Sequence, residues 1–207
     1  MSDTELNNAA GVPGRDLDAA FWNERWRTGE TGWDVGYATP PIKEYIQQYG
    51  NWDAAILIPG CGNAYEAEYL LERGFTNITL LDISHEACSR LKDKFAHSSA
   101  VYVMCGDFFL HTGQYDVIIE QTFFCAQLLE RRTEYAQKVA SLLKPGGRLI
   151  GVLFNRQFDR QGPPFGGTAD EYTSVFQPYF TIHSMDPCYN SIGPRTGTEL
   201  FINMQKK

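Results

Sequence analysis

With 207 residues, 43% of them hydrophobic and 14% aromatic, the chain can bury one sizeable core and is too short for two ordinary domains. Its 25 acidic against 18 basic residues leave a net charge of −7 with no local run of Lys or Arg, which argues against nucleic acid as a partner. The chain has no signal-like start and no apolar stretch of ~20 residues, and its five cysteines lack any C-x-x-C pair, so a cytoplasmic, monomeric protein without membrane span, disulfide or metal is expected.

In chain order, 1–14 is small and polar and reads as a loose tail. Within 15–52, Phe21, Trp22 and Trp26 recur at helical spacing, and Pro41 opens a second helical stretch through Ile42, Tyr45, Ile46 and Tyr49. These two form an N-terminal helical lid over a core at 53–207. From Ala54 apolar runs alternate with helical stretches. The runs are 54–58, 78–81, 101–104, 117–119 and 148–154; the helices are expected at 64–73, around Ala87, Leu91 and Phe95, and at 131–143, with a turn at 144–147. Strands that are apolar throughout and followed by helices indicate a parallel sheet covered on both faces. The last two β-rich runs, 179–185 and 198–204, are joined by a Pro/Gly loop and read as an antiparallel edge hairpin. The fold class is therefore α/β: a doubly wound, mainly parallel seven-stranded sheet, Rossmann-like, in one domain.

Ligands of such sheets bind beyond the carboxyl ends of the strands. The first strand ends at Pro59-Gly60-Cys61-Gly62-Asn63-Ala64, where two glycines allow a close backbone approach and Asn63 with Glu66 resembles a helix-capping pair. Alone, G-x-G is equally a tight turn. Asp82, ending the next apolar run, adds a carboxylate able to accept both hydroxyls of a ribose. Tyr65 stands where a dinucleotide motif needs its third glycine, and no phosphate loop follows. Adenosine without phosphates then fits best, with Asp107 placed to accept from an adenine amino group and Phe108 to pack on its ring.

The set Trp22-x-x-x-Trp26-x-x-Gly29-x-Thr31-x-Trp33, Pro59-Gly60-Cys61-Gly62, Asp82-Ile83-Ser84, Phe123-Phe124-Cys125-Ala126 and Gly162-Pro163-Pro164-Phe165 resembles the thiopurine S-methyltransferase family, nearest its thiol and halide methyltransferase branch, in order over nearly the whole chain. The resemblance implies a class I S-adenosyl-L-methionine-dependent methyltransferase releasing S-adenosyl-L-homocysteine. It also implies Trp22, Trp26 and Trp33 folded over the cofactor, Gly60 against its methionine part, Asp82 on the ribose and Asp107 with Phe108 at the adenine. Gln121 occupies a position near the cofactor or substrate where thiopurine enzymes carry Arg and plant-type enzymes Tyr. That change argues against a carboxylated thiopurine as acceptor.

Transfer of a methyl from a sulfonium to an anionic thiolate or halide removes charge along the path, so a dry pocket favours it. Phe123, Phe124 and Phe165, with Trp33, are the candidates for that pocket, and a small-molecule acceptor is expected. No dedicated base is required of a thiol; Glu120 and Asp34 are candidates more in keeping with structural roles, and Cys125 reads as an inert buried thiol. Two alternatives stay open on sequence alone: an NAD-linked oxidoreductase, and a cofactor-binding scaffold without activity.

Overall fold

A computed structural model describes residues 17–159 and 161–207; the expected tail at 1–14 lies outside them. Seven strands form one sheet: β1 (Ile56–Pro59), β2 (Ile78–Asp82), β3 (Val101–Cys105), β4 (Tyr115–Gln121), β5 (Leu143–Phe154), β6 (Phe180–Pro187) and β7 (Glu199–Lys206), in the order β3-β2-β1-β4-β5-β7-β6. The first five run parallel; β7 lies antiparallel between β5 and β6. β1 and β2 are buried at every position, as unbroken apolar runs covered on both faces must be, whereas the edge strand β3 exposes Tyr102 and Met104.

Helices cover both faces. Ile42 and Ile46 of α2 (Pro40–Gln48), Ala67 and Leu70 of α3 (Tyr65–Glu72) and Leu91 of α4 (His85–Lys94) pack on Ile56, Ile58, Ile78, Leu80, Val117 and Ile119. On the other face, Tyr135 and Val139 of α5 (Arg132–Leu142) and Tyr172 and Phe176 of α6 (Ala169–Phe176) pack on Leu57, Ile118, Leu149 and Leu153. The first helix, α1 (Ala19–Thr28), does not join either layer. It lies over the start of α4, where the Asn23 side-chain carbonyl accepts from Ser84 Oγ at 2.8 Å and from the Glu86 amide at 3.3 Å.

Three local expectations fail. α6 was not anticipated, although Thr168 and Glu171 form a complete capping box at its start; eight residues carry too little periodicity to announce a helix. The turn expected at 144–147 sits inside β5, as an irregularity between the Tyr115–Leu143 and Val117–Arg148 pairs. Asn63 does not cap α3: the residue before the helix, Ala64, is left-handed (φ 53°) without a side-chain cap, and Asn63 instead donates to Asp34 at 2.5 Å.

Candidate functional site

Strand order reverses between β1 and β4, and the loops leaving their carboxyl ends define the site. After β1 the chain turns through Gly60 (φ 58°) and Gly62 (φ 54°). A Cβ on Gly60 would lie 2.2 Å from Cδ2 of Phe123, so this glycine is demanded by a ring of the neighbouring loop as well as by any ligand. A Cβ on Gly62 would face Trp26 and Trp33 at 3.7 and 3.8 Å.

After β4 the chain reverses at Thr122, a β-branched residue in the left-handed region (φ 60°) that costs on the order of 1–3 kcal/mol. Glu120 offsets this strain. One of its oxygens accepts from the Phe123 and Phe124 amides, both at 2.8 Å, and the other from the Tyr135 hydroxyl. The carboxyl is 1% exposed and lines neither of the two cavities at this end of the sheet, so it braces the turn and does not act as a base on substrate. Burial pushes its pKa up to about 7, with Tyr135 and the two amides opposing. The folded group therefore holds a proton that the unfolded chain has lost above its ordinary 4.5, and Glu120's contribution to stability falls as pH rises from 4.5 to about 7. Urea unfolding at pH 5 and pH 7.5 should show Glu120→Gln flattening this slope, by up to about 3 kcal/mol across the interval; an unchanged slope would remove Glu120 as its source.

Two adjoining cavities open here, of about 390 and 340 Å3, and share Trp22, Gly60, Asp82, Ile83, Phe123 and Gln127. Asp82, 8% exposed, accepts from Ser84 N at 2.9 Å and from Gly62 N at 3.1 Å, one bond per oxygen. Each oxygen keeps a lone pair for a further donor. Burial raises its pKa against the effect of these amides. The smaller cavity runs from Asp82 over Gly106, Asp107 and Phe108. Asp107 accepts from Phe109 N at 2.8 Å, and Phe108 is 4% exposed, its ring stacked on Tyr135 at 5.4 Å, so it offers one edge to the cavity from within the core.

The larger cavity is aromatic. Trp22 and Trp26 from α1 meet the Trp33 ring edge to face at 5.5 and 5.8 Å, and all three line it with Phe123, Phe154 and Phe158. Trp33 is fixed from both sides: next to it Asp34 accepts from Asn63 and, at 3.4 Å, from Tyr65, while its own carbonyl accepts from Arg195 Nη2 at 3.1 Å. These bonds make Asp34 a tether of the loop, and Tyr65 stands outside both cavities.

Of the residues expected here, Trp22, Trp26, Trp33, Gly60, Asp82, Asp107, Phe108 and Phe123 are brought together; three are not. Gln121 turns away from the cavities and accepts from Thr39 Oγ1 at 3.0 Å, because the side chain at this strand end faces the loop before α2. Phe124 is 1% exposed and packs on Tyr135, Tyr172 and Phe176, behind the wall that Phe123 forms. Phe165 lines neither cavity; its amide bonds the Cys125 carbonyl at 2.6 Å, and Pro163 and Pro164 supply the wall in its place. Cys125 does line the larger cavity, with its thiol donating to Thr122 O at 3.3 Å and its pKa pushed up by burial, which keeps it an inert thiol.

Sequence reading missed Arg195, Arg25 and Arg156 in this lining. Arg195 also pairs with Glu199 at 3.5 Å, and Arg25 with Glu30 at 3.4 Å. The signal for Arg195 was topological: β6 runs parallel to β5, so the loop from β6 to β7 emerges at the same end as Gly60 and carries Arg195 over the site. Spacing within the sequence does not disclose that.

The donors and rings present fit an adenosine carrying a sulfonium: a buried carboxylate with free lone pairs, a glycine turn, an acid at the far end and aromatic faces, which attract cations. The thiopurine S-methyltransferase family matches residues 17–199. A probable thiol methyltransferase 2 of Arabidopsis thaliana is 33% identical over 184 residues, 86% of this chain and 81% of that protein. Thiocyanate methyltransferase 1 of Brassica oleracea is 30% identical, covering 88% and 83%. Among solved structures, the 1,6-didemethyltoxoflavin-N1-methyltransferase of Burkholderia thailandensis, with bound S-adenosylhomocysteine, superposes with a TM-score of 0.74 at 18% identity over 91% of this chain and 87% of that one, a likeness of fold. Family membership removes the oxidoreductase alternative: the chain belongs to the thiopurine S-methyltransferase family and is an S-adenosylmethionine-dependent methyltransferase.

Proposed function

We propose that the enzyme methylates a small soft nucleophile, a thiol or bisulfide, with thiocyanate and halide as further acceptors. The observation that carries this reading is the aromatic chamber walled by Trp33, Phe123 and Phe154, continuous with the Gly60–Gly62 turn and Asp82. S-Adenosylmethionine, when bound, supplies an electrophilic methyl on a cationic sulfur. Asp82 holds the ribose, Asp107 and Phe108 flank the adenine, and Gly60 admits the methionine part; Trp22, Trp26 and Trp33 close over it. The rings exclude water, so the acceptor arrives stripped of its shell and charge cancels in a medium of low polarity. Phe123, its backbone braced by Glu120, aligns the two reactants, and such alignment is worth effective molarities of ~10⁵ M or more. The two carboxylates in the chamber's lining are engaged, Glu30 with Arg25 at 3.4 Å and Asp82 with the Gly62 and Ser84 amides, which suits an acceptor that needs no base, being already anionic or a thiol of which a few per cent is thiolate near neutrality.

The relatives named for thiols and thiocyanate agree with this acceptor class. Incubation with methyl-labelled cofactor and a panel of bisulfide, small organic thiols, thiocyanate, iodide, an alcohol and an amine tests it. Transfer to sulfur or halide but to neither alcohol nor amine is the expected result; transfer to the oxygen or nitrogen acceptors alone, or to none, overturns the proposal.

A further inference from the structure

Beside the cofactor site lies a group of thiols that methyl transfer does not use. Cys105 ends β3 and is half-buried, with its Sγ 3.4 Å from Nδ1 of His85, the exposed first residue of α4. Cys88, in the first turn of the same helix, brings its buried thiol to 3.4 Å from the Asp82 carbonyl and 3.7 Å from that of Met104, the residue before Cys105. The Cys88 thiol thus sits against the residue that precedes Cys105 and against the carbonyl of Asp82, the residue that pairs with Cys105 across the sheet. An accessible thiol with a proton acceptor, and a second thiol against it, is the arrangement of an attacking and a resolving cysteine.

We propose that Cys88 and Cys105 form an oxidation site, closed to a disulfide by hydroperoxides and opened by thiols, and that closure weakens cofactor binding. His85 takes the proton of Cys105; the thiolate attacks one peroxide oxygen, breaking the O–O bond, and gives the sulfenic acid and, with a proton, water. Cys88 then attacks that sulfur and displaces the second water. Two thiols and one hydrogen peroxide thus give one disulfide and two waters. A pair that forms and opens in this way belongs to the transient class compatible with a reducing compartment.

Asp82 links the two sites. It pairs with Cys105 across β2 and β3, its carbonyl accepts from Gly106 N at 2.9 Å and from the Cys88 thiol, and its carboxylate accepts from Ser84 N at the head of α4. An S–S bond of about 2.05 Å draws the first turn of α4 onto the end of β3. Both walls of the smaller cavity, Asp82 and the Gly106–Asp107 loop, move with that turn.

The reduced full chain is treated with hydrogen peroxide, free thiols are blocked, and intact mass and peptide mapping are read. Loss of two hydrogens with a Cys88–Cys105 link is expected, slowed about tenfold in His85→Ala. S-Adenosylhomocysteine should bind the oxidised protein at least about tenfold more weakly, one decade in the equilibrium constant. Dithiothreitol should restore it, and Cys105→Ser, at the half-buried position, should keep its affinity after peroxide. A link to Cys61, progress of Cys105 to the sulfinic acid without a link, or an equal loss of affinity in Cys105→Ser overturns the proposal. The link is read by mass, so it stands or falls apart from the identity of the methyl acceptor.

Discussion

Asp82→Ala should weaken S-adenosylhomocysteine binding about 10²- to 10⁴-fold, since two charge-assisted bonds to ribose hydroxyls are worth ~1.5–3 kcal/mol each. The same carboxylate ties the Gly62 amide to that of Ser84, so the alanine also leaves two amides without their acceptor. Each such loss costs about 1–3 kcal/mol where water cannot reach. Asp82→Asn separates the two effects: its side-chain oxygen still accepts one amide, while its nitrogen can neither accept from the other nor carry the charge that strengthens the ribose bonds. Calorimetric titration of both variants, beside their unfolding curves, is the measurement. If Asp82→Asn remains folded and binds within threefold of the wild type, Asp82 does not hold the ribose.

Gly60→Ala should abolish measurable cofactor binding while leaving a folded protein. The added Cβ falls 2.2 Å from Cδ2 and 2.8 Å from Cγ of Phe123, in a backbone conformation (φ 58°) that L-residues avoid at about 1–2 kcal/mol. Phe123 cannot retreat into the core, where Phe108 and Tyr135 already stand at 5.2 and 6.0 Å, and its amide is bound by Glu120. Its ring must swing into the cavities that it now only borders. Overpacking of this kind costs about 1–3 kcal/mol, which for a chain of this size lowers the melting temperature by roughly 2–12 °C. Near-normal affinity in this variant would mean that the wall formed by Phe123 can be moved without harm.

How far the sequence discloses this molecule depends on whether a feature is local. Unbroken apolar runs at β1 and β2 declare burial on both sides, and Asp82 at the end of one of them declares a carboxylate at the carboxyl end of the sheet, because both facts are written within a few residues. The Trp22–Trp26 pair was legible as a helix face, and its meeting with Trp33 followed from resemblance, not spacing. Phe124 and Phe165 were misjudged because an aromatic run says that rings are present without saying which face the core. At a strand end alternate positions diverge, and Phe123 took the cavity while Phe124 took the core. Arg195 was invisible for a different reason: its approach depends on β7 entering between β5 and β6, a relation over the whole sheet.

The loop carrying Trp33 is anchored at Asn63, on the turn after β1, at Tyr65, the first residue of α3, and at Arg195, on the loop before β7. It spans the strand-order reversal like a strap buckled on both halves of the sheet. Trp33, held between the two buckles, is part of the wall of the larger cavity. Ordered binding, cofactor first and acceptor last, is the result expected if the strap opens for the one and refastens before the other. Product inhibition patterns, which separate an ordered from a random sequence of binding, become a readout of two hydrogen-bonded fastenings whose anchors, Asn63 and Arg195, lie 132 residues apart in the chain.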